Sequence, residues 1–367
     1  MSPPARLIKR ILIVKLSSLG DVIHAMPVVA DLRAAHPGVQ IDWVVEPGFA
    51  PLLRRVNGIG RVLECAQRRW RKRWWRGEVR AQKRAFLAEL QAEAYDAVLD
   101  LQGLTKSALV AWRARTTPGG RHYALANQTD GSGYEAPTRW LADQAIEIEP
   151  HIHVVDRSRE LAAKALGYAL SGSPCYGLSA ATVGQRAHPT QPTLVCVHGT
   201  SRDDKLWPEA DWIVLGQRLV AQGWRLAFPQ GSEVEAERAR RLAEAIGAEH
   251  CELWPRISLD ELTDRMGATQ GVIGVDSGLS HLAVALDLPH VQLYNFPTAW
   301  RTGPQPAHGH RHQVSVGGDG VPSLETVWSA WLQVSAAAAT EADQDVAERL
   351  ASITAAVMQS TAAAALR

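Results

Sequence analysis

The chain lacks several of the features that usually announce a function. Its four cysteines, Cys65, Cys175, Cys196 and Cys251, form no CxxC pair. That spacing argues against a zinc site and leaves reduced, buried thiols as the expectation. Reduced thiols fit the cytoplasm. Long apolar runs are also missing. The run Ile11–Val14 is closed by Lys15 and is far too short for the h-region of a signal peptide. No stretch approaches the length of a membrane span, so any membrane contact is expected to be peripheral. There is no broad excess of positive charge: 39 Lys+Arg face 38 Asp+Glu, a net charge of +1. This argues against a general nucleic-acid binder, and RRM and OB signatures are absent. The dinucleotide fingerprint GxGxxG is not found after the first strand-like run, which weakens a dehydrogenase reading.

What the chain does carry is a local patch. The stretch Gln67–Arg76 reads QRRWRKRWWR, and from Arg61 to Arg84 ten basic residues stand against Glu64 and Glu78 alone. Arginine grips phosphate with two parallel hydrogen bonds, and tryptophan stacks or sits at interfaces. A nucleic acid, an anionic membrane surface and one phosphorylated molecule are the ligands this pattern suits; a solvated charged face is the plainer alternative.

At 367 residues, 46% hydrophobic and 21% charged, the chain is expected to fold as two domains of an ordinary globular protein. In the first half, strand-like runs at Arg10–Lys15, Ile41–Glu46, Arg61–Cys65 and Ala97–Leu101 alternate with helical patterns at Asp21–Ala35, Glu78–Ala94 and Thr105–Arg115. The periodicity fails between Tyr168 and Gln191. It resumes with strands at Thr193–Val197, Trp224–Phe228, Gly271–Val275 and His290–Tyr294 and helices at Pro208–Gln222, Ser232–Ile246 and Leu279–Leu286. Such alternation predicts right-handed βαβ units and two parallel-sheet domains. The expected division is residues 1–170, a linker over 171–192, a second domain over 193–333 and an alanine-rich tail over 334–367, either helical or partly disordered. Ligands of open α/β sheets sit beyond the carboxyl ends of the strands, here in a cleft between the domains.

The loops at those strand ends hold the chemistry. Lys15–His24 places two serines, a glycine and Asp21 at the first strand-to-helix turn. Asp21 is either a helix N-cap or a carboxylate that faces the cleft and accepts a proton. Val197–Pro208 supplies hydroxyls, Arg202 and Lys205, which suit a phosphate unless both cations pair with Asp203 and Asp204. Gly274–His281 offers Asp276, Gly278 for close backbone approach, and a helix N-terminus for an anion.

The motifs KLSSLGDVIHAMP (Lys15–Pro27), DLQGLTKSAL (Asp100–Leu109), HGTSRDDKLWPEADW (His198–Trp212) and GVDSGLSHLAVAL (Gly274–Leu286) resemble, in order and spacing, the bacterial ADP-heptose:lipopolysaccharide heptosyltransferases, nearest to the type I enzymes. The resemblance runs from about Arg10 to about Leu332 and includes the RRWRKRWW stretch. It implies a GT-B fold, two Rossmann-like doubly wound domains facing a central cleft. It also implies inverting, metal-independent transfer of heptose from ADP-heptose to Kdo of Kdo-lipid A, with no cofactor. The partners implied are these two substrates and the inner face of the cytoplasmic membrane, touched peripherally by a monomer that binds no nucleic acid. Asp21 matches the catalytic base. Thr200, Ser201, Lys205, Glu235, Asp276, Gly278, Leu279, Ser280 and His281 match donor-binding positions, with Glu235 beside the adenosine ribose. Ser18 and Gly20 fall to the acceptor side, where Arg68, Arg69, Arg71 and Lys72 would meet carboxylates or phosphates. The run Asn295–Trp300 departs from the glycine–proline–threonine run of many relatives.

Overall fold

A computed structural model of the chain describes residues 7–178, 191–309 and 312–340. Most of the expected linker, residues 179–190, and the alanine-rich tail beyond residue 340 lie outside the described residues.

Two parallel sheets of six strands each form the molecule. The first contains β1 (Arg10–Val14), β2 (Gln40–Val45), β3 (Ile59–Glu64), β4 (Ala94–Asp100), β5 (Arg115–Leu125) and β6 (Gln144–Ile146), in the order β3-β2-β1-β4-β5-β6. The second contains β7 (Thr193–Val197), β8 (Arg225–Pro229), β9 (Cys251–Trp254), β10 (Gly271–Val275), β11 (His290–Tyr294) and β12 (Gln313–Gly317), in the order β12-β11-β10-β7-β8-β9. Counted from its own first strand, each sheet has the same doubly wound order, so each has its switch point beside its first strand. The central strands β1 and β10 are largely apolar because a parallel sheet is covered on both faces; Ile11, Leu12, Ile13 and Val14 are fully buried.

The crossovers of the first domain are α1 (Leu19–Ala25), α2 (Pro27–Ala35), α3 (Ala50–Leu53), α4 (Gln67–Lys72), α5 (Gly77–Leu90), α6 (Thr105–Ala111) and α7 (Pro137–Leu141), followed by α8 (Val154–Leu166). The second domain has α9 (Glu209–Ala221), α10 (Glu233–Ile246), α11 (Leu259–Gly267), α12 (Gly278–Ala285), α13 (Ala299–Thr302) and α14 over residues 324–340. α14 runs past the expected start of the tail at 334 and packs Val327, Ala330, Trp331 and Val334 into the second core.

Four differences from the sequence reading have physical reasons. The single helix expected over Asp21–Ala35 is two, because Pro27 has no N–H to continue α1 and instead opens α2. β5 begins Arg-Thr-Thr-Pro-Gly-Gly, which reads as a turn, and its register against β4 shifts between Tyr95 and Ala97. α8 escaped notice because its buried face includes Arg157, Ser158 and Arg159; Arg159 is neutralised by Asp31 at 2.8 and 3.0 Å. Of the cysteines, Cys65 and Cys196 are buried as expected, but Cys175 is exposed and Cys251 half-buried; all four are free.

The domains meet along α1 and α12, where the His24 and His281 rings lie 4.2 Å apart. On the opposite flank Arg55 clasps α11, 2.7 Å from Asp260 and 2.5 Å from Asp264.

Candidate active site

The carboxyl ends of both sheets open on one shared cleft of about 930 Å³. On the first-domain wall, the turn after β1 is braced by Gln102. Its side-chain oxygen accepts the Leu16 N–H at 2.9 Å and the Ser17 N–H at 3.2 Å, and its amide donates to the Ser17 carbonyl at 2.6 Å. The N-cap of α1 is Ser18, not Asp21. Asp21 stands three residues in, and its carboxylate accepts from the Ser18 N–H at 3.0 Å and the Ser18 hydroxyl at 2.8 Å. The Lys15 ammonium, almost wholly buried, lies 3.7 Å from Asp21 and donates to the Leu101 carbonyl at 3.0 Å. Burial acts to raise the Asp21 carboxyl, but the Lys15 charge and the two Ser18 hydrogen bonds outweigh it and hold the group below the ordinary carboxylate range. Burial itself pulls Lys15 down to about 8, against the pull of Asp21. Asp21 is thus an ionised carboxylate with its side chain 39% exposed on the cleft wall.

On the facing wall, Asp276 follows β10 and is buried between the Lys205 ammonium and the His281 ring. The Lys205 ammonium is 2.5 Å from one of its oxygens and His281 Nε2 is 3.4 Å from the other. Desolvation opposes ionisation of Asp276, yet His281 and Lys205 drive its carboxyl far below the ordinary range. The choice left open for the Val197–Pro208 loop is therefore decided: Arg202 pairs with Asp204, while Lys205 crosses to Asp276. Thr200 donates to the Asp276 carbonyl at 3.2 Å, and Ser201 lines the cleft beside it. Ser277 caps α12; its hydroxyl has no hydrogen-bond partner among the described residues and lies on the wall. Gly278 and Leu279 follow it there, so the first N–H groups of α12 border the cleft. Glu235 reaches the wall from α10, its carboxylate accepting the Gly231 N–H at 2.6 Å.

Two groups of expected site residues lie off the cleft wall. Ser280 is fully buried, its hydroxyl donating to the Val275 carbonyl at 2.6 Å, and its side chain is off the cleft wall. Arg68, Arg69, Arg71 and Lys72 are exposed on α4, outside the wall. Because α4 leaves the carboxyl end of β3, they still stand on the same edge of the sheet as Asp21. Trp70 packs inward against Phe86, with ring centroids 5.5 Å apart, while Trp74 and Trp75 remain 65% and 59% exposed. Gly20 lines the cleft next to the α1–α12 contact: a Cβ there would lie 2.7 Å from His281 Cδ2. The wall also includes residues that had no assigned role, among them Lys15, Gln102, Arg157 and Arg301. Lys15 and Gln102 sit inside conspicuous motifs. Arg157 and Arg301 carry no local signal.

Among the described residues one group could converge on a cation: His153, Asp156 and His308, with ligand atoms within 4.8 Å. It lies outside the wall that carries Asp21 and Lys205. Both nitrogens of His153 are engaged, accepting the Val155 N–H at 3.3 Å and meeting the Gly303 carbonyl at 3.0 Å.

Two doubly wound domains facing one cleft, with a carboxylate on one wall and Lys205 beside a helix start on the other, have the architecture of the GT-B glycosyltransferases. The pattern of glycosyltransferase family 9 (heptosyltransferase) matches residues 83–318, and the chain belongs to that family. It is 40% identical over 291 residues to lipopolysaccharide heptosyltransferase 1 of Escherichia coli K12, covering 78% of this chain and 87% of that one. With lipopolysaccharide heptosyltransferase 1 of Pseudomonas aeruginosa it is 40% identical over 311 residues, 84% of each chain. The solved E. coli heptosyltransferase WaaC with ADP superposes with a TM-score of 0.76 at 35% identity, over 87% of this chain and 97% of that one.

Proposed function

We propose that the chain transfers heptose from ADP-L-glycero-D-manno-heptose to Kdo of Kdo-lipid A, with inversion and without a metal, in lipopolysaccharide inner-core synthesis. The observation that carries this reading is the opposition across one cleft of ionised Asp21 and the Lys205–Asp276–α12 cluster. The names of the relatives and the ADP held by WaaC support the donor and the pathway.

In this reading Asp21 takes the proton of a Kdo hydroxyl while that oxygen bonds to the anomeric carbon from the face opposite ADP. The anomeric C–O bond breaks, and its electron pair leaves on the diphosphate. ADP is a good leaving group, so no acid is needed if fixed positive charge meets the growing negative charge; Lys205 and the free N–H groups of α12 provide it. Asp276 accepts heptose hydroxyls, and Glu235 meets the adenosine ribose. Thr200 and Ser201 contact the phosphates. Arg68, Arg69, Arg71 and Lys72, with exposed Trp74 and Trp75 beside them, meet the anionic glycolipid at the inner face of the cytoplasmic membrane. Among the described residues no helix is long and apolar enough to cross a membrane, which is consistent with peripheral contact.

The test is ADP release from ADP-heptose with Kdo-lipid A, with lipid A stripped of Kdo, and with an acceptor already carrying the first heptose. Release is expected with the first alone. Release confined to the heptosylated acceptor would make the chain a type II enzyme, and release with none would end the transferase reading.

A further inference from the structure

Four of the 13 tryptophans, Trp74, Trp75, Trp112 and Trp140, are exposed, and all four stand in the first domain between the start of α4 and the end of α7. Trp74 and Trp75 follow the basic helix α4. Trp112 and Trp140 lie elsewhere. Trp112 closes α6 and is 55% exposed, Trp140 is in α7 and is 70% exposed, and neither lines the cleft.

These two belong to one patch built on packed helices. Val110 and Ala111 turn one side of α6 into the core, while Leu109, Trp112 and Arg113, spaced i, i+3, i+4, share the outer side. α7 packs against α6 and adds exposed Arg139 and Trp140. Each indole carries a guanidinium over its ring: Arg113 Cζ lies 5.6 Å from the Trp112 centroid and Arg139 Cζ 5.7 Å from that of Trp140. Neither arginine has an ion pair among the described residues; Arg113 Nη1 donates to the Leu109 carbonyl at 2.9 Å. The acids that flank α7 in the chain have other tasks. Glu135 accepts the Thr105 N–H at 2.8 Å, and Asp143 lies 2.9 Å from His122 Nδ1. The patch is therefore apolar and cationic at once. An indole paired with a cation suits the headgroup zone of an anionic bilayer, where the ring enters the apolar boundary and the charge stays with phosphate.

Continuity points the same way. α4, α5 and α6 cover one face of the first sheet and share one core through Trp70, Phe86 and Val110. Gln67 of α4 donates to the Lys106 carbonyl of α6 at 3.0 Å. The α6–α7 patch thus extends the surface that carries the α4 cations. We propose that the outer side of α6 and α7 docks on the headgroups of an anionic phospholipid bilayer through Leu109, Trp112, Arg113, Arg139 and Trp140. The ligand is bare lipid, so this goes beyond the transferase reading and holds whether or not acceptor is present. Because α6 starts at the carboxyl end of β4, beside the cleft, docking there keeps the cleft mouth near the bilayer.

The test is flotation of the full chain with vesicles of phosphatidylcholine mixed with phosphatidylglycerol, and with vesicles of phosphatidylcholine alone, no substrate being present. The wild-type protein is expected to float with the anionic vesicles and far less with the neutral ones. Trp112→Ser with Trp140→Ser should weaken that binding about tenfold or more, since interfacial binding scales with buried apolar area. Arg113→Gln with Arg139→Gln should reduce the preference for the anionic vesicles by a similar factor, about tenfold. ADP release with deacylated, water-soluble Kdo-lipid A should be unchanged in both variants. Unchanged flotation of the tryptophan variant would overturn the proposal, as would wild-type binding indifferent to phosphatidylglycerol. Protein with Arg68, Arg69, Arg71 and Lys72 neutralised should still float; complete loss there would give the lipid to α4 alone and refute the second surface. Self-association of the wild-type chain that the tryptophan variant abolishes, with no flotation, would assign the face to a second copy and refute it too. The arginine pair and the α4-neutralised protein keep the test open if the tryptophan variant fails to fold. Flotation needs no turnover, so a chain that transfers no heptose still passes or fails it.

Discussion

Asp21 owes its readiness to three neighbours. Lys15, the Ser18 N–H and the Ser18 hydroxyl stabilise the ionised form more than burial disfavours it. Asp21→Ala should therefore keep ADP affinity and lose turnover by about 10²–10⁴, the usual worth of a general base; turnover within a few-fold of wild type would remove the assignment. Lys205→Ala should weaken donor binding and slow transfer together, because in the proposed mechanism one ammonium serves both the bound and the departing diphosphate. Its partner Asp276 gives a pH prediction. The folded-state carboxyl lies below its ordinary value of 3.8, so the unfolded chain binds the proton more readily. The stability from this group is present above that value and is lost as pH falls below it. Asp276→Asn should thus lower Tm at pH 7, with the gap to wild type closing in acid; a gap independent of pH would contradict the ion pairing with Lys205.

At the scale of elements, α1 and α12 carry the site and also the contact between domains. Gly20 on α1 faces His281 on α12, and Gly278 on α12 faces Leu19 on α1, where an added Cβ would come to 2.7 and 3.0 Å. His281 is 8% exposed in its side chain and has little room to yield. Gly20→Val should push the two helices apart and lower kcat while ADP, placed on the second domain in the proposed mechanism, binds as before. A normal kcat would show that the helices need not approach this closely. These elements were largely legible beforehand: ILIV and GVIGV run apolar because parallel strands are covered twice, and the polar loops fall at their carboxyl ends. The role of Asp21 stays open between cap and cleft-facing carboxylate in the sequence because both Ser18 and Asp21 are good capping residues, and only the structure makes Ser18 the cap. α8 buries Arg157 and Arg159 with its apolar residues, and their burial shows only in the folded structure.

At the scale of the molecule, the cations of α4 stand apart from the cleft but on its edge, beside two exposed tryptophans. Neutralising Arg68, Arg69, Arg71 and Lys72 together should raise the KM of the acceptor far more than that of the donor, and the acceptor effect should shrink with added salt as exposed charges are screened. Equal effects on both substrates would count against this placement.

What the sequence by itself determined is local. Hydrophobic periodicity set two α/β halves, turn chemistry set the loops at their strand ends, and four motifs in order marked Asp21, Lys205 and Asp276. What the tertiary structure decided is which distant groups meet: Lys205 with Asp276 rather than Asp203 or Asp204, Gly20 with His281, and Trp70 inward with Trp74 and Trp75 outward. Periodicity and turns are properties of a few consecutive residues, whereas these pairings depend on how two sheets and their helices pack, over separations in the chain that no local pattern spans.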